Sequence, residues 1–97
     1  MPKITILNKR KTTNNEPTLI HFHDENSPHS RIQSVVMNKF DDIQVKVRDV
    51  HEHKDSFDMY EIDSIPTLIF IADNNEVKRW NHVVSYEEIL NTVNQYL

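Results

Sequence analysis

The chain has 97 residues, 37% of them hydrophobic, and a formal net charge of −4, which is enough for one packed core and too little for two. The acidic balance supplies no field for nucleic acid, and the basic cluster Lys9–Lys11 is only three residues long. Cysteine is absent, which excludes a disulfide framework, thiolate catalysis and thiolate metal sites in this sequence.

The first twenty residues lack the apolar core of a signal peptide and no stretch has the length to span a bilayer, so a cytoplasmic protein with no membrane association is expected. Lys3–Leu7 alternates polar and apolar residues as a short strand does, and Asn8–Pro17 reads as a loop or a poorly formed helix. Thr18–His23 is a strand with apolar residues on both faces, the mark of a central position covered by helices on both sides. Ser27-Pro28 fits a helix start, serine as N-cap and proline in the first turn, and Ile32, Val35, Val36 and Phe40 follow at helical spacing to about Phe40.

Asp41-Asp42 makes a turn, and Ile43, Val45 and Val47 alternate with Gln44, Lys46 and Arg48 as in a strand. His51–Tyr60 holds a short helix with Phe57 and Tyr60 inward. Thr67–Ala72 is an apolar strand, and Asp73–Glu76 turns into a strand over Val77–Trp80 to make a hairpin. Ser85-Tyr86-Glu87-Glu88 is a capping-box pattern ahead of the stripe Ile89, Leu90, Val93, Leu97. The order predicts an α/β domain with a central mixed sheet flanked by helices on both faces. Glycine is absent, against an average usage of about 7%, so turns needing positive φ fall to Asn and Asp. Richness in Asn, Ile and Lys suggests the AT-rich coding of a low-GC bacterium or its phage.

Ser64-Ile65-Pro66-Thr67-Leu68-Ile69-Phe70, followed by a turn, a strand and a capped terminal helix, resembles the second half of thioredoxin. The resemblance covers residues 3–97 and implies one thioredoxin-like domain over 1–97, with Pro66 as the family's cis proline. At the start of the long helix, where the family carries Cys-x-x-Cys, stands Ser27-Pro28-His29-Ser30. With both serines as cysteine this is Cys-Pro-His-Cys, the motif of the strongly oxidising bacterial disulfide oxidases of the superfamily. The resemblance thus assigns Ser27 and Ser30 to the catalytic positions, and Pro28, His29, Ile65 and Pro66 to a shallow groove for an extended protein segment, a small case of strand addition. No cofactor is assigned and a monomer is expected. Three positions depart from the family: Asn26 where an aromatic residue often precedes the first cysteine, His21 for a buried acidic residue, and Asn75 for the hairpin glycine.

Thiol–disulfide exchange needs a thiolate nucleophile and a second sulfur to resolve the mixed disulfide, and serine supplies neither. A serine nucleophile needs a base held by a third group, and His29, two residues from Ser27 on the first helical turn, does not offer that arrangement. Ser27 is accounted for as an N-cap and Ser30 as a first-turn hydrogen-bonding residue. The serines have two possible histories: exchange of both cysteines of an active Cys-Pro-His-Cys oxidoreductase, or natural loss of the thiols with the fold kept as a binding module.

His21-x-His23 places two imidazoles on one face of a strand and His51-x-His53 repeats the spacing. Such pairs are a weak metal signal, so no metal is assigned and His21 is expected to be partly buried and hydrogen-bonded. Trp80 and Tyr86 read as packing residues. Asp41-Asp42 and Glu87-Glu88 stand at a turn and a helix start, where acidic residues are already favoured.

Overall fold

A computed structural model describes residues 16–96 of the chain. The strand expected at Lys3–Leu7 and the connection from Asn8 to Asn15 lie outside the described residues, as does Leu97. Within them the elements are strand β1 (Thr18–His23), helix α1 (Pro28–Met37), β2 (Gln44–Asp49), α2 (Lys54–Met59), β3 (Thr67–Ala72), β4 (Asn75–Trp80) and α3 (Tyr86–Asn94).

The strands make one mixed sheet in the order β2-β1-β3-β4. β1 runs parallel to β2 and antiparallel to β3, and β3 and β4 form an antiparallel hairpin. Alternation along the central strands divides the core in two. Leu19, Leu68, Phe70 and Trp80 join Met37 of α1 and Ile89 and Val93 of α3 on one face, while Ile20, Phe22 and Ile69 pack with Phe57 of α2 on the other. Helices therefore cover both faces, and side chains such as Phe22, Phe70 and Ile69, at 0% exposure, each contribute about 2 kcal/mol of burial free energy. Among the described residues no helix is long and apolar enough to cross a membrane.

Two features of α1 differ from the periodicity reading. The helix ends at Met37 rather than near Phe40, because the last bonds tighten from i−4 to i−3: Lys39 N–H donates to Val36 O and Phe40 N–H to Met37 O, both at 3.1 Å. Its inner face is Ser30, Gln33 and Met37, whereas Ile32 and Val35 are 53% and 63% exposed. Of the four positions the apolar spacing marked, Val36 and Phe40 do meet the core, and Ile32 and Val35 face solvent. Gln33 takes the inward position because its amide is satisfied there, with Nε2 donating to Val84 O at 3.2 Å and Oε1 accepting from Val84 N–H at 2.7 Å.

The hairpin turn has φ of 55° at Asp73 and 66° at Asn74, the two positive values of a type I′ connection, met by residue types that tolerate them without glycine. A third positive φ falls on Glu61 (55°), outside the Asn/Asp expectation. Glu61 follows the cap of α2 in a Schellman arrangement, with Ile62 N–H on Phe57 O at 2.9 Å and Glu61 N–H on Asp58 O at 3.2 Å. Ile62 also packs on the Phe57 cluster. Glycine is the residue this geometry favours, so Glu61→Gly is expected to raise stability by roughly 0.5–1 kcal/mol. Urea unfolding of the two proteins checks it.

α3 begins at Ser85, whose Oγ accepts from Glu88 N–H at 3.2 Å. The reciprocal half of the capping box is replaced, because the Glu88 carboxylate accepts instead from the Trp80 indole N–H at 2.9 Å. That bond satisfies the polar atom of a tryptophan only 2% exposed and fixes α3 to β4.

Candidate functional site

The carboxyl end of β1 leads through Asp24–Asn26 into α1. Ser27 has extended backbone (φ −95°, ψ 120°) and its Oγ accepts from Ser30 N–H at 3.3 Å, with Pro28 in the first turn. Its N–H donates to Asp24 O at 2.8 Å, and Asp24 Oδ1 accepts from Asn26 N–H at 3.0 Å, so the short connection is tied to itself. Ser30 is fully buried and its Oγ accepts from Asp24 N–H at 3.3 Å. Both hydroxyl oxygens are thus acceptors for backbone N–H groups around the helix start. Pro28 and His29 are exposed beside them.

The sheet brings the other predicted residues to the same end. Thr67 pairs with Phe22, so Pro66, one residue earlier, falls beside the end of β1 from which the Ser27 loop departs. The Ile65–Pro66 peptide bond is cis; Pro66 is buried and Ile65 half-buried against the Phe22 cluster. Thr67 Oγ1 donates to Ser64 O at 2.8 Å, which ties the approach to β3. The β2 end arrives there too: Val50 N–H donates to His23 O at 2.9 Å, and His51 Nε2 lies 3.8 Å from Asp24 Oδ1.

No histidine is hydrogen-bonded to Ser27 or Ser30 among the described residues; the serine–histidine contact present joins Ser34 Oγ and His23 Nδ1 at 3.4 Å. The nucleophile–base pair of a serine hydrolase is not assembled. His51 is exposed on a turn, and His53 stands at the N-cap position of α2 without a side-chain capping bond. No group of three or more His, Cys, Asp or Glu side chains suited to a metal occurs among the described residues.

The expectation for His21 is corrected. It is 0% exposed, and neither ring nitrogen has a hydrogen-bond partner among the protein groups. Its ring lies edge-on to that of His23, 5.1 Å between centres. Burial, and after it the positive potential of His23, pushes the imidazole down to about 4, so the ring is neutral at physiological pH. Sequence reasoning also passed over Gln33, whose bonds to Val84 hold the helix bearing both serines against the entrance to α3; no periodicity rule marks it.

The four-stranded mixed sheet with helices on both faces coincides in form with known structures. Thioredoxin-2, a component of malaria parasite protein secretion machinery, superposes with a TM-score of 0.79 at 19% identity, over 84% of each chain. A mutant thioredoxin from Halobacterium salinarum gives 0.79 at 20% identity over 88% of this chain and 78% of that one. Thioredoxin from Aeropyrum pernix gives 0.69 at 9% identity, over 90% and 80%. The fold is thioredoxin-like. No protein-family model and no curated protein matches the chain, so the likeness is one of three-dimensional form. With no cysteine in the chain, this thioredoxin-like domain holds no sulfur with which to exchange disulfides.

Proposed function

We propose that the chain is a thioredoxin-like domain of the thiol–disulfide oxidoreductase family whose redox centre is silent because serines stand at positions 27 and 30. It retains a groove formed by Pro28, His29, Ile65 and Pro66 for an extended protein segment. The observation that supports this reading most is the convergence of the α1 start and the cis Ile65–Pro66 bond at one end of the sheet. A thiolate at Ser27's position would sit at a helix N-terminus, where the backbone N–H groups and the helix dipole favour an anion. Serine keeps the shape and the cap and removes the chemistry.

The Pro28-His29 pair between the serines supports exchange of two cysteines in a Cys-Pro-His-Cys oxidoreductase. Asn26 and the buried, unpartnered His21 support the second reading, natural loss of the thiols in a protein-binding module. The thiol count of the product of the native gene separates the two. On either reading the work is cytoplasmic, needs no cofactor and is done by a monomer.

The double variant Ser27→Cys, Ser30→Cys tests the family assignment. One thiolate attacks a disulfide sulfur of a test protein to form a mixed disulfide, and the second resolves it, leaving the test protein reduced and the variant oxidised. With a small dithiol re-reducing the oxidised variant, turnover above the dithiol's own background is the expected result, with Ser27→Cys alone stalled at the mixed disulfide and Ser30→Cys alone, its thiol buried, inactive; background turnover overturns the assignment. The groove is tested on the serine form by NMR with an unfolded, reduced polypeptide. Amide shifts confined to residues 26–30 and 64–67 and lost in Pro66→Ala are expected, and an unchanged spectrum overturns binding.

A further inference from the structure

His21 stands apart from the groove and is left unexplained by it. It is the most deeply buried of the residues lining a cavity of about 290 Å³ between α1 and β2, the others being Ser34, Met37, Asn38, Phe40, Val45 and Val47. Strand register builds one wall: Val45 and Val47 pair with Leu19 and His21, on the face of the sheet that α1 covers. Met37 and Phe40, both buried, build the wall opposite. Asn38 and Val47 are exposed and open the cavity to solvent. Two polar groups of the lining are already engaged, since Ser34 Oγ contacts His23 Nδ1 at 3.4 Å and the Met37 sulfur accepts from Gln33 Nε2 at 3.5 Å. The His21 imidazole is not: neither ring nitrogen is partnered by a protein group. A buried donor and a buried acceptor left open together are uncommon in a folded protein.

We propose that this cavity binds a neutral, single-ring phenol whose hydroxyl hydrogen-bonds to the His21 imidazole. The lining excludes ions, because no carboxylate, ammonium or guanidinium is among its side chains and a charged ligand would be desolvated without compensation. Size sets the ring count. An apolar cavity of about 150 Å³ holds benzene, so the observed volume of about 290 Å³ takes one ring with a short substituent. The walls favour an aromatic ring over an aliphatic chain, since the Met37 thioether and the Phe40 ring both make favourable contacts with an aromatic edge or face. The imidazole decides the substituent. A neutral imidazole offers one N–H and one lone pair, and a phenolic hydroxyl both donates and accepts, so it suits whichever nitrogen faces the cavity. An apolar ring of the same size fills the walls and leaves both nitrogens open.

NMR titration of the chain with phenol, and with toluene as the ring without a hydroxyl, tests the site. Saturable shifts are expected at His21, Ser34, Met37, Val45 and Val47, with a phenol Kd on the order of 1 mM or tighter. Toluene should bind at least about fivefold more weakly, the worth of one hydrogen bond. His21→Leu, which leaves an apolar floor, is expected to take up toluene and to lose the preference for phenol. The parent's own preference carries the test should His21→Leu disturb folding by circular dichroism. Phenol shifts that are absent, or that rise without saturating to about 10 mM, mean that the cavity holds water alone and overturn the proposal. Equal affinity for phenol and toluene in the parent overturns recognition through His21. Shifts confined to residues 26–30 and 64–67 assign the ring to the groove and overturn it equally. No residue of the Ser27–Pro66 groove lines the cavity, so none of these outcomes decides whether the groove takes a polypeptide.

Discussion

Replacing Gln33 by leucine is expected to lower the unfolding free energy by about 2–5 kcal/mol, a large part of the total stability of a domain this size. The side chain is fully buried and reaches across 51 positions to Val84, bonding both its N–H and its C=O. Leucine preserves much of the volume and removes both partners, leaving two main-chain groups buried and unpaired at about 1–3 kcal/mol each. The melting temperature should fall by at least ~10 °C. Because this pair fastens α1 to the loop before α3, amide exchange should accelerate in residues 81–85 and along the helix that carries Ser27 and Ser30 before global unfolding. Equilibrium denaturation measures the first effect and native-state hydrogen exchange the second; a loss below ~1 kcal/mol would show that the loop finds other partners.

The parts of this fold written in local chemistry were legible. Ser27-Pro28 announces the start of α1, the polar run Asp73–Glu76 the hairpin, whose strand in fact begins already at Asn75, and Thr67–Ala72 a buried strand, because an N-cap, a positive-φ turn and an apolar run each depend on neighbours in sequence. The inner face of α1 was legible only in part. Apolar spacing chose Ile32, Val35, Val36 and Phe40; the last two reach the core, but the structure exposes the first two and buries Ser30 and Gln33, each satisfied by a backbone group that the helix meets only after folding. Glu61 escaped for a related reason: its positive φ is imposed by the Schellman closure of α2, and no glycine or asparagine marks the place. The candidate groove residues were found through resemblance, since neither Pro28-His29 nor Ile65-Pro66 carries a chemical signature of its own. The pairing of β1 with β3 is what gathers them.

The stability of the chain should fall as pH drops from about 6.5 to about 4, by about 3 kcal/mol at 1.36 kcal/mol per pH unit, through His21 alone. In the folded protein, burial first and His23 second hold this imidazole down at about 4 from its ordinary 6.5. In the unfolded chain the ring takes its proton near 6.5, so between the two values the unfolded state carries the extra proton and is favoured by acid. Above 6.5 the ring is neutral in both states and contributes no slope; below 4 it is charged in both and the loss levels off. The other side chains that line its cavity bring no charge to oppose this. Glu76, drawn below its ordinary range by its hydrogen bond to Arg79, adds a further loss only in more acid solution, and a small one because the pair is exposed. His21→Leu isolates the effect: from pH 7 to pH 4 the stability difference between the two proteins should shift by about 3 kcal/mol in the variant's favour. Curves that stay parallel would mean that the folded chain protonates His21 as readily as the unfolded one, which requires water or a rearranged Ser34 or Asn38 to reach the ring. A variant already more stable at pH 7 would show that the buried ring, unpartnered by any protein group, costs the fold free energy.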